Sequence, residues 1–267
     1  MRRLILALFL VASPALASPT MTMQLDQGGT PRDYLLHIPD TLPPGPVPLV
    51  ISIHALNSTP ANAEHFSGFS PLADEQGFIV AYPAATQGRW SFATPGDDTA
   101  FILAVIEDVA RQHPIDRTRI YADGMSNGAQ MTWALACYDG ATFAAFGMVS
   151  GSYLHNCDGP RDPLILFHGT ADRVLPYGGK SGTLPVPDFA RDWASRPGCT
   201  LPHGGTPLMQ NGDVTGVSFA CDPAAPVEFY TIAGAGHTWP GSVMQNATQD
   251  IDATRAMWAF FQRFHKS

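Results

Sequence analysis

The stretch Tyr121-Ala-Asp-Gly-Met-Ser-Asn-Gly-Ala-Gln-Met131 places Ser126 between Gly124 and Gly128. The pattern is G-x-S-x-G. A nucleophile held at the carboxyl end of a strand, just before a helix, needs a sharp turn. Glycines two before and two after it relieve the crowding of that turn. The chain has 25 glycines, so the pattern counts only in context. Here Arg119–Ala122 reads as a short strand and Ala129–Tyr138 as a helix. The turn therefore sits in the strand–turn–helix setting that exposes a serine hydroxyl. It also puts the Asn127 N–H at a helix start, where it can face an oxyanion.

The rest of the chain repeats this alternation. Val47–His54, Gly77–Tyr82, Phe146–Val149, Leu164–Phe167 and Val227–Ile232 are apolar, β-rich runs. Between and after them, Ala61–Gln76, Asp98–His113 and Ala253–Phe264 read as helices, with Pro114 stopping the second. Met21–Pro39 alternates partially and is expected to supply one or two edge strands. Gly178–Asp222 is rich in Gly, Pro and Ser and reads as an excursion over the sheet, with a helical patch at Asp188–Ala194. The fold expected is α/β, a mainly parallel sheet with helices on both faces. Residues 18–267 are expected to form a single catalytic domain.

A serine hydroxyl is a weak nucleophile without a base. Of nine histidines, His237 stands apart. It lies in Gly234-Ala-Gly-His-Thr-Trp-Pro-Gly241, between the strand VEFYTI and the last helix. Asp172 follows the strand LILF and lies between nucleophile and base in the chain, so the order is Ser, Asp, His. Asp172 would hold the imidazole tautomer without taking the proton. Asp123 and Asp162 are weaker rivals; the first borders the nucleophile turn and the second precedes the strand. A second oxyanion donor is expected from the backbone N–H of Leu56, in the loop after Val47–His54.

Composition narrows the setting. The 267-residue chain is 45% hydrophobic with a formal charge of −8. No basic cluster marks a nucleic-acid partner. Arg2 and Arg3, the apolar run Leu4–Ala12 and Ala15-Leu16-Ala17 read as a signal peptide over residues 1–17. Export would make the four cysteines legible as two disulfides, with three possible pairings. The sequence-local pairing is expected, Cys137 with Cys157 and Cys199 with Cys221. No metal or cofactor is expected: there is no H-E-x-x-H and no phosphate loop. No membrane anchor is read; the partner is a small or polymeric ester.

The segments Gly77–Pro83, Asp97–Phe101, Asp116–Tyr121, Gly124–Gly128, His168–Tyr177 and Gly234–Gly241 together resemble the esterase family that groups poly(3-hydroxybutyrate) depolymerases with feruloyl and acetylxylan esterases. The resemblance runs from about Tyr34 to Phe264. It implies the α/β-hydrolase fold, Ser126, Asp172 and His237 as triad, and a cysteine pattern like the local pairing. Three departures lie near the site: Ala55 after His54, Ala129-Gln130 after Gly128, and Ala235 in the base loop. They bear on the substrate more than on the reaction. The first expectation is a hydroxyalkanoate polyester or its oligomers, and the alternative a feruloyl or acetyl ester of plant polysaccharide. A peptidase or a catalytically dead binding protein on the same scaffold is less favoured. Trp90 and Trp239 are candidate pocket residues.

Overall fold

The structure is a computed structural model that describes residues 18–92, 95–151, 153 and 161–266. The expected signal peptide lies outside these residues. Ten strands form one sheet: β1 (Thr20–Gln27), β2 (Thr30–His37), β3 (Val47–Ile53), β4 (Ile79–Pro83), β5 (Ile115–Met125), β6 (Ala145–Val149), β7 (Leu164–Gly169), β8 (Thr206–Asn211), β9 (Val214–Phe219) and β10 (Val227–Ile232). Their order is β1-β2-β4-β3-β5-β6-β7-β10-β9-β8. The six central strands, β4 to β10 in that order, pair in parallel. Antiparallel strands close both edges.

The pattern follows from burial. Every residue of β3, β4, β6 and β7 is buried, as in a sheet covered on both faces. Alternate side chains of β3 go to opposite sides. Leu49, Ile51 and Ile53 join one core with Phe101, Val105, Trp133 and Phe189, from helices α3 (Asp97–Gln112), α4 (Asn127–Tyr138) and α5 (Val186–Ala194). Val50 joins the other with Phe69, Leu72, Met257 and Trp258, from α2 (Phe69–Gln76) and α6 (Ala253–Phe261).

Two expectations need correction. The single helix over Ala61–Gln76 is two, α1 (Pro60–Ser67) and α2, broken at Gly68 with φ 68°. A left-handed residue ends one helix, and glycine takes that conformation without a Cβ clash. The excursion Gly178–Asp222 is also more than a covering loop. Its second half adds β8 and β9, turned at Asn211-Gly212-Asp213 with Gly212 at φ 51°. Residues of β8 are mostly exposed, so no buried alternation marked it. The disulfide Cys199–Cys221 staples this excursion. Cys157, the expected partner of Cys137, lies outside the described residues.

Candidate active site

Ser126 sits between β5 and α4 with φ 59° and ψ −118°, a conformation L-residues rarely adopt. Its N–H is held by the Val149 carbonyl of β6 at 2.9 Å. The flanking glycines are sterically required. A Cβ on Gly124 would stand 2.5 Å from the Gly128 backbone, and one on Gly128 would stand 2.2 Å from the Ile53 oxygen. The crowding that the pattern implied is therefore present at both positions.

The loop that carries Asp172 follows β7. Asp172 Oδ1 accepts the N–H groups of Val174 at 2.8 Å and Leu175 at 2.9 Å, and Oδ2 accepts from His237 Nδ1 at 2.7 Å. The carboxylate is fully buried. Burial alone would raise its pKa; the hydrogen bonds from His237 and the Leu175 N–H outweigh it and hold the group below the usual aspartate range. An ionised acceptor leaves the His237 proton on Nδ1 and a lone pair on Nε2. The two loops are also joined through backbone. Ala171 N–H donates to the Ala235 carbonyl at 2.9 Å, and Gly234 N–H to Thr170 Oγ1 at 2.8 Å. Gly169 permits this approach, since a Cβ there would meet the Ala235 oxygen at 2.3 Å.

His168 was not singled out by the sequence reading, yet it braces the loop that carries Asp172. Its Nε2–H donates to the Leu175 carbonyl at 2.8 Å, and burial lowers its pKa, so the ring is neutral. Asp123 and Asp162 fall outside the site. Asp123 is a fully buried residue of β5 that accepts a hydrogen bond from Ser52 Oγ of the neighbouring β3 at 2.8 Å. Asp162 precedes β7, at the opposite end from Asp172, and pairs with Lys266 at 2.6 Å.

Ser126 and His237 line one cavity of about 520 Å³, together with Leu56, His65, Phe66, Met125, Val174 and Met244. Its walls are mainly apolar, and Leu56 and Val174 are exposed at the rim. Among the described residues the Ser126 hydroxyl makes no hydrogen bond, to His237 or otherwise. Catalytic hydrogen bonds are commonly long in ligand-free enzymes and tighten on substrate. The Leu56 N–H has no protein acceptor among the described residues. The Asn127 N–H opens α4, where helix geometry leaves it without a helical partner.

The loop around Leu56 is tied to the Ser126 turn by contacts of Asn127, Trp90 and His54 that the sequence does not show. Asn127 Oδ1 accepts the Trp90 N–H at 2.8 Å and its Nδ2 donates to the Trp90 carbonyl at 3.2 Å. Trp90 Nε1 donates to the His54 carbonyl at 2.9 Å. His54 Nε2 accepts the Ala85 N–H at 3.0 Å while Nδ1 donates to the Ala55 carbonyl at 2.7 Å. Both ring nitrogens are thus committed, and burial lowers the His54 pKa. Trp90 is buried as a brace; it does not line the cavity of Ser126. Trp239 is buried too, donates to Thr254 Oγ1 at 3.0 Å, and lines a separate 160 Å³ cavity. No group of three or more acidic, His or Cys residues able to hold a metal occurs among the described residues.

Comparison with known proteins joins this geometry to a family. The model of the "Esterase PHB depolymerase" family matches residues 33–200. The chain belongs to that family. It is an esterase. It is 32% identical over 252 residues to feruloyl esterase C of Emericella nidulans, covering 91% of this chain and 88% of the relative. It is 28% identical to a bifunctional acetylxylan esterase/xylanase of Neocallimastix patriciarum, over 79% of this chain and 31% of that protein. Among solved structures, the acetyl xylan esterase of Aspergillus awamori superposes with a TM-score of 0.68 at 18% identity, over 92% of this chain and 99% of that one. That likeness shows the α/β-hydrolase fold of this esterase. No helix among its described residues is long and apolar enough to cross a membrane.

Proposed function

We propose that this esterase hydrolyses carboxylic esters through Ser126, His237 and Asp172. The observation that carries the reading is the 2.7 Å bond between Asp172 and His237, with His237 and Ser126 lining one cavity. The Ser126 hydroxyl attacks the ester carbonyl and its proton passes to His237 Nε2. The N–H groups of Asn127 and Leu56 receive the oxyanion. As the intermediate collapses, the bond to the alcohol oxygen breaks and His237 returns the proton to that oxygen. Water, deprotonated by His237, then releases the acid from the acyl-enzyme.

Of the two substrate classes, feruloyl or acetyl esters of plant polysaccharide are favoured over a 3-hydroxybutyrate polyester. The activities of the named relatives support this order. An apolar cavity suits an aromatic or short acyl group. A signal peptide over residues 1–17 and an exported single domain complete the reading, supported by the disulfide. The test is a substrate panel of methyl ferulate, acetylated xylan, 3-hydroxybutyrate oligomers and p-nitrophenyl acetate, run on wild type and Ser126→Ala. Hydrolysis of the last ester by folded Ser126→Ala would overturn the assignment. Turnover confined to 3-hydroxybutyrate oligomers would reverse the substrate order.

A further inference from the structure

A second cavity, of about 500 Å³, lies beside the first, and Leu56 lines both. Its other walls are Asn57, Thr86, Gln87, Arg89, Trp90, Ser91 and Phe92. In a chain of net charge −8, most arginines are engaged. Arg32, Arg111, Arg117, Arg119, Arg191, Arg255 and Arg263 all face carboxylates. Among the described residues the guanidinium groups of Arg89 and of the exposed Arg173 make no hydrogen bond, ion pair or ring contact, and of these two it is Arg89 that lines the cavity.

Its backbone, in contrast, is well fixed. Arg89 N–H donates to the Thr86 carbonyl at 3.2 Å. The next residue, Trp90, is clasped by Asn127, and Ser91 N–H donates to Asp98 Oδ2 at 2.8 Å. Asn127 directly follows Ser126. The segment carrying Arg89 is therefore held in register with the nucleophile turn, while its charge is left open to the cavity. A guanidinium offers a planar fork of donors that matches a carboxylate in two bonds.

We propose that this second cavity is a substrate subsite in which Arg89 binds a carboxylate carried by the ester beyond Leu56. Asn57, Thr86, Gln87 and Ser91 supply the remaining polar wall. The proposal rests on the esterase reading above and names a feature of the substrate: an anionic group remote from the scissile bond. Two chemistries offer one, a uronic acid on a polysaccharide and the free acid end of a hydroxy-acid oligomer.

The experiment uses matched pairs. One pair is an acetylated, uronic-acid-bearing xylo-oligosaccharide and the same compound with its carboxyl reduced to the alcohol. The other is a 3-hydroxybutyrate trimer and the same trimer with its terminal carboxyl converted to the primary amide. Wild type should prefer the acid of one pair by about fivefold or more in kcat/KM, the scale of one partly exposed charge-assisted pair. The pair that shows it identifies the source. Arg89→Gln should bring the ratio to about one. Lys180→Gln, which removes an exposed cation lining neither cavity, should keep it. No acid preference in either pair for wild type, a preference that survives Arg89→Gln, or its equal loss in Lys180→Gln would each overturn the subsite. These ratios are distinct from loss of hydrolysis in Ser126→Ala, which bears on the esterase mechanism alone.

Discussion

The Asn127 side chain holds the Trp90 backbone by both its groups, accepting the N–H at 2.8 Å and donating to the carbonyl at 3.2 Å. One residue thus serves two purposes. Its own N–H is placed at the helix start beside Ser126, and its side chain fixes the neighbour of the Leu56 loop through Trp90 and His54. Asn127→Ala should lower kcat by about tenfold to a hundredfold, short of the full loss of an oxyanion donor. It should also cost about 1–3 kcal/mol, because buried polar groups of Trp90 lose their partner. Steady-state kinetics and chemical denaturation measure both; an unchanged kcat would separate this clasp from catalysis.

Asp172→Asn tests the acid by tautomer. The N–H groups of Val174 and Leu175 keep the amide oxygen on their side. The amide nitrogen then faces His237 Nδ1 and donates to it. The imidazole proton moves to Nε2, where it cannot accept from Ser126. The expected loss in kcat is on the order of 10⁴-fold with the fold retained. Near-wild-type turnover would remove Asp172 from the mechanism.

Acid should destabilise the fold through two buried histidines. Burial lowers the pKa of His54 and of His168. In the unfolded chain each binds a proton below about pH 6.5, whereas the folded chain binds it only at lower pH. The unfolded state therefore holds more protons in that window, and stability falls as pH drops through it, by at most about 1.4 kcal/mol per pH unit for each histidine. Thermal unfolding between pH 8 and pH 5 should show Tm decreasing, with a shallower decrease in His168→Asn.

Asp123 acts in the opposite sense. Burial raises its pKa well above the usual value, and Oδ2 has no partner among the described residues. The folded state keeps a proton that the unfolded state loses above about pH 4, so stability is lost as pH rises. Asp123→Asn should raise Tm at pH 8 more than at pH 4. It should also steepen the acid sensitivity attributed to the two histidines. A Tm gain that is equal at both pH values would contradict a protonated Asp123.

The Cys199–Cys221 bond closes a loop with a sequence separation of 22. Chain entropy assigns such a loop about 3 kcal/mol. Replacing both cysteines by serine should lower stability by about that amount and leave kcat/KM for p-nitrophenyl acetate unchanged, since the bond lies on the excursion away from the Ser126 cavity. A lost kcat with stability intact would place the excursion in the site.

Much of this protein is legible along the chain because its signals are local. The strand–turn–helix around Ser126 needs glycines within two residues of the serine, and steric crowding acts at that range. Fully buried strands such as β3 and β7 announce themselves as apolar runs. The order of Ser126, Asp172 and His237 follows from which loops leave the carboxyl edge of a parallel sheet. The chain alone could not show that Trp90 is a brace, that His54 and His168 are buried and hydrogen-bonded, or that Arg89 is left unpaired in the cavity next to that of Ser126. Nor could it show β8, whose residues are mostly exposed. Hydrogen bonds between segments 30 to 40 residues apart depend on where the sheet brings their ends, and desolvation depends on what packs over them. Those are properties of the folded chain, and the tertiary structure alone decides them.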